Sequence, residues 1–291
     1  MNYNTPLQWI LVDSEEKLKE ARQNLEGVPF IAIDTEYDSL RYFREKLCLI
    51  QVASEERTYI FDPLGSVDFS FLGSLCQNHS ICKILHAGDN DVRLLNRDFQ
   101  FTFTNVFDTH RAAGLLGISR LSLAAVIETS LGFSLSKSKK MQRSRWDRRP
   151  LSAEQIEYAA RDTFYLIELY RRLNRDLEQQ GLMKKAREAF RDISQARWRP
   201  KQYDSCRLSI SEAENLEKEQ LMRLEILWRW RFDHAKRTNK ARFMIATNEE
   251  LIALAKINAD SLEDMKMHMI LSEKKLADIG SLLLEALQRM K

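Results

Sequence analysis

Phe30-Ile31-Ala32-Ile33-Asp34-Thr35-Glu36 is the stretch on which the fold turns. Four apolar residues in a row describe a strand covered on both faces, where polar alternation is not required. The run ends on two carboxylates spaced i, i+2, which on a strand share a face while Thr35 turns the other way. Two acids side by side at the end of a core strand repel each other unless a cation holds them. The pattern reads either as half of a divalent-metal site or as an acidic strand end beside a turn.

Outward from this strand, Leu7 to Val12 reads as another strand, and Asp13-Ser14-Glu15-Glu16 opens a helix with Asp13 as N-cap. Leu47–Val52 and Thr58–Phe61 are further strands. Three strands on short polar loops predict an antiparallel meander at one edge of a sheet. From Phe69 the rhythm changes to helix (Phe69–Cys76), strand (Cys82–Leu85), helix (Asp91–Arg97), strand (Asn105–Asp108) and helix (His110–Leu116). Strands alternating with helices mean parallel crossovers, so the first domain is α/β with a mixed sheet. Leu121–Leu131 and Ser152–Leu177 are helices flanking a basic loop. Residues 195–211, with Pro200 and weak periodicity, read as a linker between a domain at 1–194 and one at 212–291. The latter shows helix-period segments over Glu212–Ala235, Asn248–Ala255, Ser261–Met267 and Ser272–Met290 and no strand, the pattern of a small all-helical domain.

With 291 residues, two domains are the natural expectation. Hydrophobic residues at 44% and charged residues at 30% describe an ordinary soluble globular protein. Nothing approaches 18 consecutive apolar residues, which excludes a helical membrane span. Met1 to Pro6 is polar and lacks a signal-peptide core, so a cytoplasmic address is expected. Cys48, Cys76, Cys82 and Cys206 form no C-x-x-C pair and read as free buried thiols. The net charge of +3 says little, but its distribution says more. Lys137 to Arg149 holds seven Lys/Arg against one acid, Asp147, and Lys184 to Lys201 is a second basic stretch. Each is either solvated surface or a polyanion contact, and clustered acids with clustered bases nearby suit a metal-assisted reaction on a polyanion.

Two more places carry chemistry. His86-Ala87-Gly88-Asp89-Asn90-Asp91 follows a strand end, where α/β active sites collect, and Asp89 and Asp91 compete for the role of ligand. Tyr158 and Asp162, spaced i, i+4, stack on one face of a helix, and Ala159 and Ala160 let that helix approach a neighbour closely. The order D-x-E, then D, then Y-x-x-x-D resembles the DEDD superfamily of 3′→5′ exonucleases in its tyrosine-bearing branch. The likeness to ribonuclease D and the related exosome exonuclease is closer still. It rests on Ile33-Asp34-Thr35-Glu36, Leu47-Cys48-Leu49-Ile50-Gln51, Leu85-His86-Ala87-Gly88 with Asp91, Phe107-Asp108-Thr109, Arg149-Pro150-Leu151 and Tyr158-Ala159-Ala160-Arg161-Asp162-Thr163. The helical tail, with Trp228-Arg229-Trp230-Arg231, resembles the HRDC module.

The resemblance implies an RNase H-like mixed-sheet exonuclease domain followed by an all-α HRDC-like domain. It selects Asp91 over Asp89 and leaves Asp108 a structural residue. It implies hydrolysis with two Mg²⁺ or Mn²⁺ ions held by Asp34, Glu36, Asp91 and Asp162, hard cations that take oxygen ligands. Tyr158 then orients the attacking water, since a phenol is a poor base at neutral pH. The expected partner is RNA with a free 3′ end, a tRNA precursor among the candidates, yielding nucleoside 5′-monophosphates. Lys137, Arg143 and Arg145 are the expected phosphate contacts, and Trp146 either stacks on a base or anchors its loop. Trp228 and Trp230, two apart on a helix, cannot both face the core, so one is partly exposed. A DNA exonuclease and a non-catalytic nucleic-acid adaptor are the alternatives, although the latter needs a missing ligand and none of the five positions is missing.

Overall fold

The computed structural model describes residues 7–135, 139–206, 211–257 and 259–288. They form two compact units, the first of residues 1–38 and 47–199, the second of 39–46 and 200–291. The segment read as a linker is therefore shared between the units rather than separate from both. Among the described residues no helix is long and apolar enough to cross a membrane, and all four cysteines are free and buried.

The first unit is a six-stranded sheet. Its strands are β1 (Trp9–Val12), β2 (Phe30–Asp38), β3 (Lys46–Ala53), β4 (Thr58–Phe61), β5 (Cys82–Leu85) and β6 (Val106–Asp108), in the order β1-β4-β3-β2-β5-β6. β3 and β4 are antiparallel, while β2, β5 and β6 run parallel, as expected of a mixed sheet. The meander does not form the edge, however. β1 pairs in parallel with β4, Trp9 opposite Thr58, and takes the outer position. The helices are α1 (Glu15–Leu25), α2 (Phe71–Gln77), α3 (Asp89–Phe99), α4 (Thr109–Leu115), α5 (Leu123–Leu131), α6 (Lys139–Gln142), α7 (Ala153–Phe164), α8 (Leu166–Gln179) and α9 (Met183–Ser194). The cap of α1 is Ser14, which accepts from the Lys17 N–H, and not Asp13, whose carboxylate pairs with Lys17 Nζ at 2.7 Å.

β2 shows why the sheet needs cover on both sides. Ile31 and Ile33 pack into one core with Leu25, Leu72, Val92 and Leu95 of α1, α2 and α3. Ala32 packs into the opposite core with Val126, Leu169 and Phe190 of α5, α8 and α9. The helix expected over Ser152–Leu177 is two helices, broken at Tyr165. α7 packs with Cys48, Leu49 and Ile60, whereas α8 packs around Ile84 and Phe107. One straight helix could not serve both sets.

The second unit is helical: α10 (Lys218–Thr238), α11 (Arg242–Ile245), α12 (Asn248–Ile257), α13 (Leu262–Met267) and α14 (Glu273–Gln288), preceded by a 3₁₀ turn at Ser211–Asn215. The first helix thus begins later than the periodicity suggested. Trp228 is buried and donates to Asp204 O at 2.8 Å, while Trp230 is half-buried and stacks on His234. Ser39–Lys46 joins this unit through Phe43, whose ring meets Phe232 edge-on at 5.2 Å.

Candidate active site

β2 carries the acids out of the core. Ala32, Asp34 and Glu36 share one face of the strand, and Ile31, Ile33, Thr35 and Tyr37 share the other. Burial alternates with them: Asp34 and Glu36 are half-buried and Thr35 between them is buried. Helices reach the strand end from both sides.

On the carboxylate face lies α7. A capping box fixes its start: Ser152 Oγ accepts from the Gln155 N–H at 3.2 Å and Gln155 Oε1 accepts from the Ser152 N–H at 3.0 Å. Ala159 and Ala160 are fully buried, and the absence of longer side chains brings the helix backbone against the sheet, where Thr58 Oγ1 donates to Ala160 O. Tyr158 and Asp162 stand one turn apart on this helix. Burial pushes the Tyr158 phenol far above its usual range. The charges of Asp162, Glu36 and Asp34 push the same way, against a hydrogen bond from Gln142. One side chain therefore feels three of the four expected ligands.

From the other face comes the loop His86–Asp91. An added Cβ on Gly88 would lie 2.7 Å from Leu85 Cβ, so no side chain fits there. The Gly88 N–H donates to Asp108 Oδ2 at 2.9 Å, and Asp108 Oδ1 caps α4 by accepting from the Arg111 N–H at 2.8 Å. Asp108 is thus a buried structural acid. The His86 ring bridges Thr109 Oγ1 at 2.8 Å and Leu121 O at 3.0 Å, fastening the loop to the next crossover. This scaffold delivers Asp91, buried in the first turn of α3, to β2, where the Thr35 hydroxyl donates to Asp91 Oδ1. Burial raises the Asp91 pKa to about 6, opposed by the Thr35 hydrogen bond and assisted by the Asp108 charge. Asp89 differs: it is 46% exposed and pairs with Arg111 at 3.3 Å.

Two residues at this place escaped the sequence. Tyr37 receives a hydrogen bond from Asn90 Nδ2 at 3.0 Å, and burial, then the Asp91 charge, raise its pKa, with Asp34 contributing. Asp34 thus acts on the tyrosines of both faces. Tyr37 had a signal, its i, i+2 relation to Thr35, but an aromatic on a strand reads first as core. Gln142, which bonds Tyr158, is an uncharged residue in a charged loop and gave none.

The basic loop divides sharply. Lys137 lies outside the described residues. Arg143 is exposed, whereas the Arg145 guanidinium is engaged by Asp147 at 2.8 and 2.9 Å. Trp146 does not present a face to a base: it is 1% exposed, packed among Leu49, Ile60, Ile156 and Ala159, with its ring 6.1 Å from that of Tyr158. Its place is under the tyrosine, because a large aromatic fills the gap that the two alanines leave. Arg149 ties the end of the loop down, donating to Asp62, Trp146 O and Cys48 O.

Among the described residues no group of three or more His, Cys, Asp or Glu side chains converges closely enough to hold an ion as they stand. The donor set nevertheless suits a hard divalent cation, being carboxylate oxygen throughout, with no thiol or imidazole among the four. The charges of Asp162, Glu36 and Asp34 all act on Tyr158, and Asp91 is bonded to Thr35 on the other face of β2.

Residues 9–178 match the 3′–5′ exonuclease family, and residues 220–287 match the HRDC domain. The chain belongs to the 3′–5′ exonuclease family. Ribonuclease D of Shewanella sp. (strain ANA-3) is 30% identical over 278 residues, which is 95% of this chain and 71% of that protein. The crystal structure of Escherichia coli RNase D, an exoribonuclease involved in structured RNA processing, superposes with a TM-score of 0.71 at 27% identity, over 97% of this chain and 75% of that one. Brucella melitensis NrnC with bound Mg²⁺ gives 0.55 at 28% identity, over 65% and 90%. Exosome relatives are longer: the chain spans 28% of the exosome complex component 10 homolog of Drosophila melanogaster, at 33% identity. The chain is a nuclease of the ribonuclease D type, and its family depends on divalent metal ions.

Proposed function

We propose that this chain removes nucleotides one at a time from the free 3′ end of RNA, releasing nucleoside 5′-monophosphates. Asp34, Glu36, Asp91 and Asp162 hold two divalent cations, Mg²⁺ or Mn²⁺, and Tyr158 positions the water. The observation that carries this reading is the packing of α7, with Tyr158 and Asp162 one turn apart, against the strand that bears Asp34 and Glu36, with Asp91 hydrogen-bonded to Thr35 of that strand. When bound, two such cations supply an activated water and stabilise the leaving oxygen of an in-line displacement. Tyr158 keeps its proton throughout the working range, so its hydroxyl orients the attacking oxygen and does not deprotonate it. Trp146 and Gln142 hold that phenol in place.

The exposed Lys140 and Arg143 of the basic loop grip the substrate phosphates, and Lys137 joins them in the proposal. Phosphate contacts give salt-dependent binding without choice of sequence, in keeping with a processing enzyme that meets many 3′ ends. A tRNA precursor and a cytoplasmic setting belong to the same proposal. The test uses labelled RNA and DNA oligonucleotides of one sequence, each with Mg²⁺, with EDTA, and with Asp162→Asn. The expected result is stepwise shortening of RNA from its 3′ end, abolished by EDTA and by the substitution. Faster shortening of DNA, or shortening that survives Asp162→Asn, overturns it.

A further inference from the structure

α9 lies between the two matched regions, one ending at residue 178 and the other beginning at 220. Its apolar side has a clear role. Ala186, Phe190 and Ile193, at i, i+4 and i+7, are buried, and the Phe190 ring lies 4.6 Å from that of Phe107 on β6. Lys184, Arg187 and Arg191, at i, i+3 and i+7, share the opposite side and are exposed, with Lys185 next to them.

Among the described residues of this unit several surface arginines pair with acids, while the exposed Arg143, Arg148, Arg175, Arg197 and Arg199 do not. Arg22, Arg57, Arg111, Arg120, Arg161, Arg171 and Arg172 each reach a carboxylate. Among the described residues, Lys184, Lys185, Arg187 and Arg191 pair with none. Glu188 stands four residues from Lys184, a spacing at which helix ion pairs form, yet the two do not bridge. Arg187 and Arg191 are themselves like charges at i, i+4, an arrangement that costs a helix stability unless an anion offsets it.

We propose that this face of α9 binds the phosphate backbone of RNA upstream of the 3′ end, a second contact surface that favours longer substrates. The proposal rests on the RNA reading above. Three observations commit it to a polyanion. Lys184 to Arg191 spans about 10 Å of helix, comparable with about three phosphate steps along one strand of a duplex. A helix that binds an anionic membrane sets apolar residues beside its cations, and here the apolar residues are buried in the core. A protein partner would want an aromatic or aliphatic centre to its interface, and this face offers only charged and polar side chains.

The test is the full-length chain with Lys184→Ala, Arg187→Ala and Arg191→Ala together. Binding to a 30-nucleotide and a 5-nucleotide RNA is followed by anisotropy in EDTA across a salt series, alongside hydrolysis of the 5-mer in Mg²⁺. Affinity for the 30-mer should fall at least tenfold at low salt, and its salt slope should flatten by about two charges' worth. Hydrolysis of the 5-mer should be unchanged. An unchanged slope, or equal losses on both RNAs with a lowered Tm, overturns the proposal. So does a variant that keeps its RNA affinity but loses binding in a parallel arm with vesicles of phosphatidylserine and phosphatidylcholine. Failure of the activity itself reads out separately, as wild-type chain that leaves the 5-mer intact.

Discussion

The Thr35 hydroxyl donates to the carboxylate of Asp91, joining the strand that bears two acids to the helix that bears another. Burial has raised that carboxyl to about 6, and the Thr35 bond is the largest influence pulling it back. A folded pKa above the unfolded one means that Asp91 stabilises the metal-free protein below about pH 4, a contribution lost as pH rises through 6. Thr35→Val keeps the shape and removes the donor, so the carboxyl should rise further, by about one unit for a hydrogen bond of typical worth. Because a ligand must shed its proton to bind, Mn²⁺ affinity measured against pH should show its midpoint moved upward in the variant. Coincident profiles would remove Thr35 from any role in tuning Asp91.

Tyr158→Phe separates shape from chemistry. The ring that packs against Trp146 remains and only the hydrogen bond from Gln142 is lost, so Tm should fall by no more than a few degrees. The hydroxyl proposed to position water is gone, so kcat should fall on the order of 10²-fold or more. The wild-type rate should show no tyrosine ionisation below about pH 10, because the phenol is held protonated. Trp146→Ala is the opposite case, costing about 3–5 kcal/mol of stability and carrying the activity down with it.

Parts of this were legible in the chain because local spacing alone decides them. The apolar run to Ile33 could only be a covered strand, and Tyr158 and Asp162 could only share a helix face. Trp146 could not be decided, since a tryptophan in a basic loop looks the same whether its partner is a base or Ile156. The break at Tyr165 was hidden because the heptad-like apolar pattern continues through it into Leu166, Leu169 and Leu173. Ser39–Lys46 was hidden most deeply. It reads as a polar hairpin loop, and the partner of its one phenylalanine, Phe232, lies far along the chain.

Lys83 supplies a pH signature of the fold. It is fully buried on β5 and donates to Asn78 O at 2.6 Å and Ile81 O at 2.7 Å. Burial lowers its pKa from 10.5 to about 8, with Cys76 and Cys82 acting in the opposite sense. A depressed pKa means that the unfolded chain binds more protons between pH 8 and 10.5, so this group adds stability as pH rises through that window and withdraws it as pH falls through 8. The difference in urea unfolding free energy between wild type and Lys83→Met should therefore shift toward wild type from pH 8 to 10.5, by about 1–3 kcal/mol. A flat difference would mean that Lys83 is neutral, or charged, in both states.

The segment that follows the acid-bearing strand belongs to the helical unit, and truncation should expose that dependence. Phe43 is buried there, the Arg44 N–H donates to Asn239 Oδ1 at 2.8 Å, and Lys201 Nζ donates to Phe43 O at 2.6 Å. A chain ending at Arg199 loses Phe232, Asn239 and Lys201 together, leaving a large aromatic and several backbone groups without partners. Hydrogen exchange at Arg44 should accelerate at least a hundredfold, and the shortened protein should self-associate through the bared ring. Phe43→Ser in the shortened chain should restore the monomer without restoring protection at Arg44. Because residues 39–46 continue directly from the strand of Asp34 and Glu36, kcat should fall in both shortened forms while Tyr158 keeps its core neighbours. Slow exchange at Arg44 after truncation would show that this segment is ordered without Phe232, Asn239 and Lys201.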